Sequence, residues 1–242
     1  MPSKRMRRHG GASAKPGPAE QEIVKTAGVI SAVIFDLDGV LLDSEQVWDE
    51  VREQLVEERG GRWHDQAQTE MMGMSSVEWS RYMRDELGVP DPPDEISAEV
   101  VRRLEEVYRK RLPVIDGAQE AVERLAARWP LGLASSSNRE LIDLVLELSG
   151  LARFFRVTVS SEEVERGKPA PDVYLEAARG LGVPAERCAA VEDSRNGIRA
   201  AKAAGMRVLA IPNPHFPPGE ESLALADVTL GSLAELTPSI VE

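Results

Sequence analysis

From residue 29 onward the chain alternates two kinds of hydrophobic pattern. Short, nearly continuous apolar runs recur at 29–37, 131–135, 156–160, 188–192 and 207–211. The first, VISAVIFDL, is rich in β-branched residues and lacks polar alternation, the pattern of a parallel strand buried on both faces. Helix-compatible stretches separate the later runs: 117–128, 139–148, 171–179 with Gly180 as a stop, and 194–204. Ser194 is placed to cap the start of the last stretch and Gly205 to end it. Strand and helix in regular alternation predict an α/β fold, a doubly wound parallel sheet of Rossmann-like form.

Nearly 80 residues between the first strand and Gly117 break that rhythm. Residues 43–61 read as a helix closed by Gly60 and Gly61, and helical stretches follow around 75–87 and 96–111, separated by the breaker run ValProAspProProAsp at 89–94. A chain that leaves a parallel sheet just beyond Asp38 and returns before the second strand deposits its insertion over the carboxyl ends of the strands. Open α/β sheets bind ligands there. The expected organisation is a core of 29–44 and 113–242 with a helical cap, 45–112, inserted after the first strand and hinged near 43–45 and 113–117. Trp48, Trp63, Trp79, Met71, Met72 and Met74 are expected in the cap core, His64 on its surface, and Cys188 inside a strand.

Composition narrows the function. The chain carries 29 Lys and Arg against 41 Asp and Glu, a formal −12, which disfavours nucleic acid as a partner. No run approaches the roughly 18 apolar residues of a membrane span. The single cysteine makes no internal disulfide, so a reducing, aqueous, cytoplasmic setting without a membrane partner is expected, with a monomer as the default. Residues 1–28 have the opposite sign: six Lys or Arg against two Glu give +4, leaving about −16 for the rest. No apolar stretch follows these basic residues as a secretory signal requires, so the segment reads as a disordered basic tail, with an arm for an acidic partner as the functional alternative.

The strand ends carry the candidate chemistry. Asp36 and Asp38 converge on one site only if the backbone turns after Leu37, and Gly39 gives that freedom. Glu192 and Asp193 end the fourth strand. Like charges about 4 Å apart repel by roughly 4 kcal/mol at an effective dielectric near 20, so such a cluster calls for a cation or a held proton. Carboxylates, carbonyls and water suit Mg²⁺, whereas His9, His64, His215 and one cysteine make no zinc site. Ser135, Ser136, Ser137 and Asn138 end the second strand at a helix start, where anionic oxygens bind, and Lys168 is the matching positive charge on a proline-stiffened loop. Together these groups describe phosphoryl handling. Each alone has a plain structural explanation as a turn, a helix cap or a solvated lysine; their joint occurrence at four strand ends does not.

The runs AspLeuAspGlyValLeuLeuAspSer at 36–44, LeuAlaSerSerSerAsn at 133–138, GlyLysProAlaProAsp at 167–172 and ValGluAspSer at 191–194 resemble, in order, the four motifs of the haloacid dehalogenase superfamily. The likeness spans residues 29 to about 236 and is nearest to the helical-cap phosphatases and β-phosphoglucomutase-like members. It implies Asp36 as the nucleophile that becomes an aspartyl phosphate, and Asp38 as general acid and then general base. It implies that Asp36, the Asp38 carbonyl, Asp193 and, less directly, Glu192 hold Mg²⁺. Ser135 and Lys168 would hold phosphoryl oxygens, Ser136 an amide donor, and Ser137 and Asn138 the substrate side.

Dehalogenases of this superfamily lack the second acid, so Asp38 favours transfer to an alcohol or water. Mutases of the family carry a cap arginine after GlyXaaSer and a histidine in the first cap helix, where this chain has Ser76 and Trp48; Arg81 or Arg84 could substitute. The expected function is an Mg²⁺-dependent phosphatase of a small phosphorylated metabolite, a sugar or polyol phosphate favoured, with a β-phosphoglucomutase-type mutase as the alternative. A signalling receiver also joins an acceptor aspartate, a hydroxyl and a lysine, but Asp36 and Ser135 lie 99 residues apart, too far for its single small domain.

Overall fold

The structure, a computed structural model, describes residues 29–242. The basic segment 1–28, with its expected tail or arm, lies outside the described residues. The strand β1 (Ala32–Phe35) opens the sheet with four fully buried apolar residues. It is shorter than the run 29–37 predicts, because Val29 is 77% exposed and Asp36 makes the last ladder bond, donating its N–H to the Val191 carbonyl at 3.0 Å.

The chain then leaves the sheet for α1 (Glu45–Glu58), α2 (Ala67–Met71), α3 (Ser76–Asp85) and α4 (Pro93–Lys110). It returns through α5 (Ala118–Ala126) to β2 (Leu131–Ser135), α6 (Arg139–Ser149) and β3 (Phe155–Ser160). After these come α7 (Asp172–Leu181), β4 (Cys188–Glu192), α8 (Arg195–Ala203), β5 (Arg207–Ala210), α9 (Glu220–Leu223), β6 (Val228–Thr229) and α10 (Pro238–Val241). The six strands are parallel, in the order β3-β2-β1-β4-β5-β6.

Alternation along β1 sends Ala32 and Ile34 to one face and Val33 and Phe35 to the other. On the first face α7 and α8 cover a core of Val173, Tyr174, Ala177 and Ile198, with Cys188 buried among them. The opposite core includes α5 and α6 and continues into Leu55, Trp79, Met83, Val100 and Leu104 of the inserted helices. No described helix is long and apolar enough to cross a membrane.

Two boundaries differ from the pattern for physical reasons, and four short elements are additional to it. The helix α4 starts at Pro93, inside the expected breaker run, because a proline at the first helical position gives up no intrahelical bond. The helix α7 runs through Gly180 to Leu181 and closes at Gly182; Gly180 is there for packing, since a Cβ on it would lie 2.8 Å from Val157 Cγ1. The short α2, β6, α9 and α10 were not expected, being too brief to show a period of their own.

Two connections join the inserted helices to the sheet, and they pair with each other. Asp43 N–H donates to the Pro113 carbonyl at 2.8 Å and Ile115 N–H to the Leu41 carbonyl at 3.0 Å, with Leu42 facing Val114.

Candidate active site

Parallel strands end at one edge, and the order places β1 beside both β2 and β4. After Phe35 the chain turns tightly: Leu41 and Leu42 N–H both donate to the Leu37 carbonyl, and Gly39 sits at φ +75°. The Gly39 backbone presses on Asp193. A Cβ at residue 39 would lie 1.9 Å from Asp193 Oδ2. Asp36, Asp38 and Asp193 thereby line one cleft, together with Ser136, Ser137 and Ser194 from the sheet side and Glu45, Trp48, Arg52, Met71, Met72, Gly73, Met74 and Trp79 from the inserted helices.

Asp36 is buried, and its Oδ1 meets Lys168 Nζ at 3.0 Å. Lys168 Nζ also donates to Glu192 Oε1 at 2.6 Å. Burial alone would lower the lysine, but Asp36 and Glu192 outweigh it and hold the ammonium above the ordinary lysine range. Burial, reinforced by Glu192, pushes the Asp36 carboxyl well above the usual carboxylate range, with Lys168 opposing. Asp38 accepts from Ser44 Oγ at 2.6 Å and Trp48 Nε1 at 3.2 Å on Oδ1, and from Ser137 Oγ on Oδ2.

Glu192 and Asp193 are adjacent in sequence yet unlike in chemistry. Glu192 Oε1 accepts from Lys168 and from Tyr174 Oη at 2.7 Å, while Oε2 accepts from Asp193 N, Ser194 N and Ser194 Oγ. Both Asp193 oxygens are buried without a hydrogen-bond partner among the described residues. Burial, then Glu192, Glu45 and Asp36, raise its carboxyl well above the usual range. Oxygens of Asp36, Glu192 and Asp193 lie within 4.8 Å of one another. This donor set fits a hard cation such as Mg²⁺, which an unpaired buried carboxylate needs. Glu192, expected as the less direct contributor, has both oxygens filled by these donors, so it is Asp193 that has unclaimed lone pairs.

The β2 end divides. Ser136 and Ser137 line the cleft, whereas Ser135 is fully buried and its Oγ accepts from Ser137 N–H at 3.0 Å. Asn138, expected on the substrate side, instead turns to a separate groove between α3, α4 and the sheet edge; its Nδ2 donates to Glu162 Oε1 at 2.8 Å. Ser76 Oγ from the inserted helices donates to the same Glu162 oxygen, and Ser136 Oγ donates to the Gly73 carbonyl at 2.9 Å. Arg81 and Arg84 are exposed and do not line the cleft. His64 is exposed, with its Nε2 3.0 Å from Tyr82 Oη.

Sequence patterning did not single out Glu45, Arg52, Gln68 or Tyr174. The first two share a face of α1 with Trp48 at spacings of three and four, a signal available beforehand. Trp48, Trp79, Met71 and Met72 are buried, as expected of a cap core, and also wall the cleft. Burial pushes the Glu45 carboxyl up to about 7, and burial lowers the Arg52 guanidinium to about 10.

The family model for a haloacid dehalogenase-like hydrolase matches residues 30–205. The chain belongs to this family. Among its members, Hexitol phosphatase B of Escherichia coli K12 is 35% identical over 218 residues, covering 88% of this chain and 97% of that protein. The crystal structure of CbbY from Rhodobacter sphaeroides in complex with phosphate superposes with a TM-score of 0.77 at 27% identity, covering 88% and 99%. A putative β-phosphoglucomutase from Thermotoga maritima superposes at 0.67 and 28% identity, covering 87% and 98%. These likenesses agree with the family, the parallel fold and a hydrolase acting on phosphate esters.

Proposed function

We propose that this chain is an Mg²⁺-dependent phosphatase of a small sugar or polyol phosphate that works through an aspartyl phosphate on Asp36. The observation that carries the proposal is the pairing of Asp36 and Asp38 in one cleft beside Asp193, whose two buried oxygens have no hydrogen-bond partner among the described residues. Asp36, Asp193 and the Asp38 carbonyl would hold the ion, which when bound screens the phosphoryl charge from the carboxylates.

Asp36 attacks phosphorus; as the phosphorus–oxygen bond to the alcohol breaks, Asp38 gives that oxygen a proton. Water then attacks phosphorus, Asp38 takes its proton back, and phosphate leaves Asp36. Ser44, Trp48 and Ser137 fix the Asp38 carboxyl for both transfers. Lys168 binds the oxygens of the phosphoryl group, with Ser135 supporting the Ser137 amide and Ser136 and Ser137 at the cleft wall. Glu192 positions Lys168 rather than binding the ion directly. Residues 45–112 act as a cap over this core. The cleft offers about 40 Å³, room for on the order of three waters, so the cap swings on the paired connections near Leu42 and Val114 to admit substrate.

A mutase must hold a second phosphate in the cap. Ser76, at the position of the family's cap arginine, is buried against Glu162, and Trp48 bonds to Asp38 instead. The relative named Hexitol phosphatase B supports the polyol side of the proposal. The test is phosphate release from a panel of phosphomonoesters with and without Mg²⁺, with β-glucose 1-phosphate plus its bisphosphate scoring mutase activity. Asp36→Asn is expected to abolish release; retained turnover would remove Asp36 as nucleophile.

A further inference from the structure

The cap side of the cleft carries a polar string that the phosphoryl chemistry does not use. Arg52 is 4% exposed, and its guanidinium sits in the corner of the edge-to-face pair Trp48 and Trp79, 4.3 Å from the Trp48 ring centroid and 4.8 Å from that of Trp79. Arg52 Nη1 donates to Gln68 Oε1 at 3.0 Å, and Gln68 Nε2 donates in turn to Glu45 Oε2 at 2.8 Å. Arg52 Nε has no hydrogen-bond partner among the described residues. A guanidinium has five N–H donors, so one neutral amide leaves most of its capacity unused. Arg52 and Glu45 line the same cleft as Asp36 and Asp38.

We propose that Arg52, Gln68 and Glu45 recognise the hydroxyl groups of the substrate's alcohol half, with Trp48 and Trp79 against its C–H face, selecting phosphomonoesters of neutral polyols. The proposal rests on the phosphatase function above and deepens it. A hydroxyl both donates and accepts, which matches a string of guanidinium, amide and carboxyl. Aromatic faces suit the apolar side of a carbon chain while the polar string reads the other. An additional negative charge is disfavoured: Lys168 pairs with Asp36 and Glu192, and the ion would take Asp193, which leaves Asp38 and Glu45 facing Arg52, the lone lining cation on the cap side among the described residues. A second phosphate or a carboxylate on the alcohol half would meet that excess of like charge.

The experiment compares kcat and KM for sorbitol 6-phosphate, fructose 1,6-bisphosphate, 3-phosphoglycerate and p-nitrophenyl phosphate, each with Mg²⁺, in the wild type, Arg52→Met and Gln68→Leu. The wild type is expected to prefer sorbitol 6-phosphate to the bisphosphate and to the carboxylate ester. In the variants the ratio of kcat/KM for sorbitol 6-phosphate to that for p-nitrophenyl phosphate falls by about 10- to 100-fold, mostly through KM, the size of a lost hydrogen bond to a charged group. An unchanged ratio, or a wild type that favours either charged ester, overturns the proposal. If Arg52→Met does not fold, Arg52→Lys keeps the charge and loses the fork, and must show the same fall. Failure of the wild type to hydrolyse even p-nitrophenyl phosphate would overturn the phosphatase function itself, an outcome distinct from hydrolysis whose ratio ignores Arg52.

Discussion

Replacing Gly39 by alanine tests whether the turn after β1 sets the position of Asp193. Residue 39 is at φ +75°, where an L side chain costs about 1–2 kcal/mol. The new Cβ would also lie 1.9 Å from Asp193 Oδ2, so the carboxylate must retreat by about 1 Å or more to reach an ordinary contact. A displacement of that size in a catalytic group is worth on the order of 100-fold in rate. Gly60→Ala supplies the control: its φ is +78° and, among the described residues, nothing stands within 4 Å of the added Cβ. Both variants are expected to melt roughly 2–8 °C lower from backbone strain, at 2–4 °C per kcal/mol for a chain of this size. Only Gly39→Ala loses about 100-fold in Mg²⁺-dependent phosphate release and requires more Mg²⁺ for half-maximal rate and for thermal protection. Equal activity of the two variants, at matched folded fraction, would refute the link between this turn and the metal carboxylate.

Lys168→Met removes the cation between two buried carboxylates, and a broken buried pair costs about 3–5 kcal/mol. Melting at pH 8 should fall by roughly 6–20 °C, and by less toward acid pH, because burial raises the Asp36 carboxyl and its protonation relieves the uncompensated charge; this pH range lies below that in which Lys168 itself titrates. The Glu45 carboxyl titrates at about 7 in the folded protein against 4.5 when free, so the folded state holds the extra proton and stability falls as pH rises through that window. Glu45→Gln should therefore raise the melting temperature at pH 8 and do so far less at pH 4.5. Glu162→Ala removes the acceptor shared by Ser76 and Asn138, and limited proteolysis should then cut the 61–75 segment faster than in the wild type.

Strand identity and the chemistry at strand ends were legible along the chain because both are local. A buried parallel strand needs an unbroken apolar run, and in a parallel sheet every carboxyl end reaches the same edge, so Asp36, Ser135 and Glu192 are candidates before any strand order is known. Ser194 caps α8 through Gly197 N–H, as its position predicts. Gly39 has the positive φ its place after Leu37 requires.

What the tertiary structure alone decided is how neighbouring polar atoms are shared. Two acids in succession look equivalent as letters, but Lys168, Tyr174 and three donors at the start of α8 fill Glu192 while Asp193 is left with free oxygens. Asn138 turns from the cleft because Glu162, 24 residues on, offers it an acceptor. Arg52 stands at the cleft because Trp48 and Trp79, from two different helices, form the aromatic corner that receives it. Hydrogen-bond capacity is finite and burial makes every unmet bond expensive, so these assignments depend on partners brought together only by the packed fold.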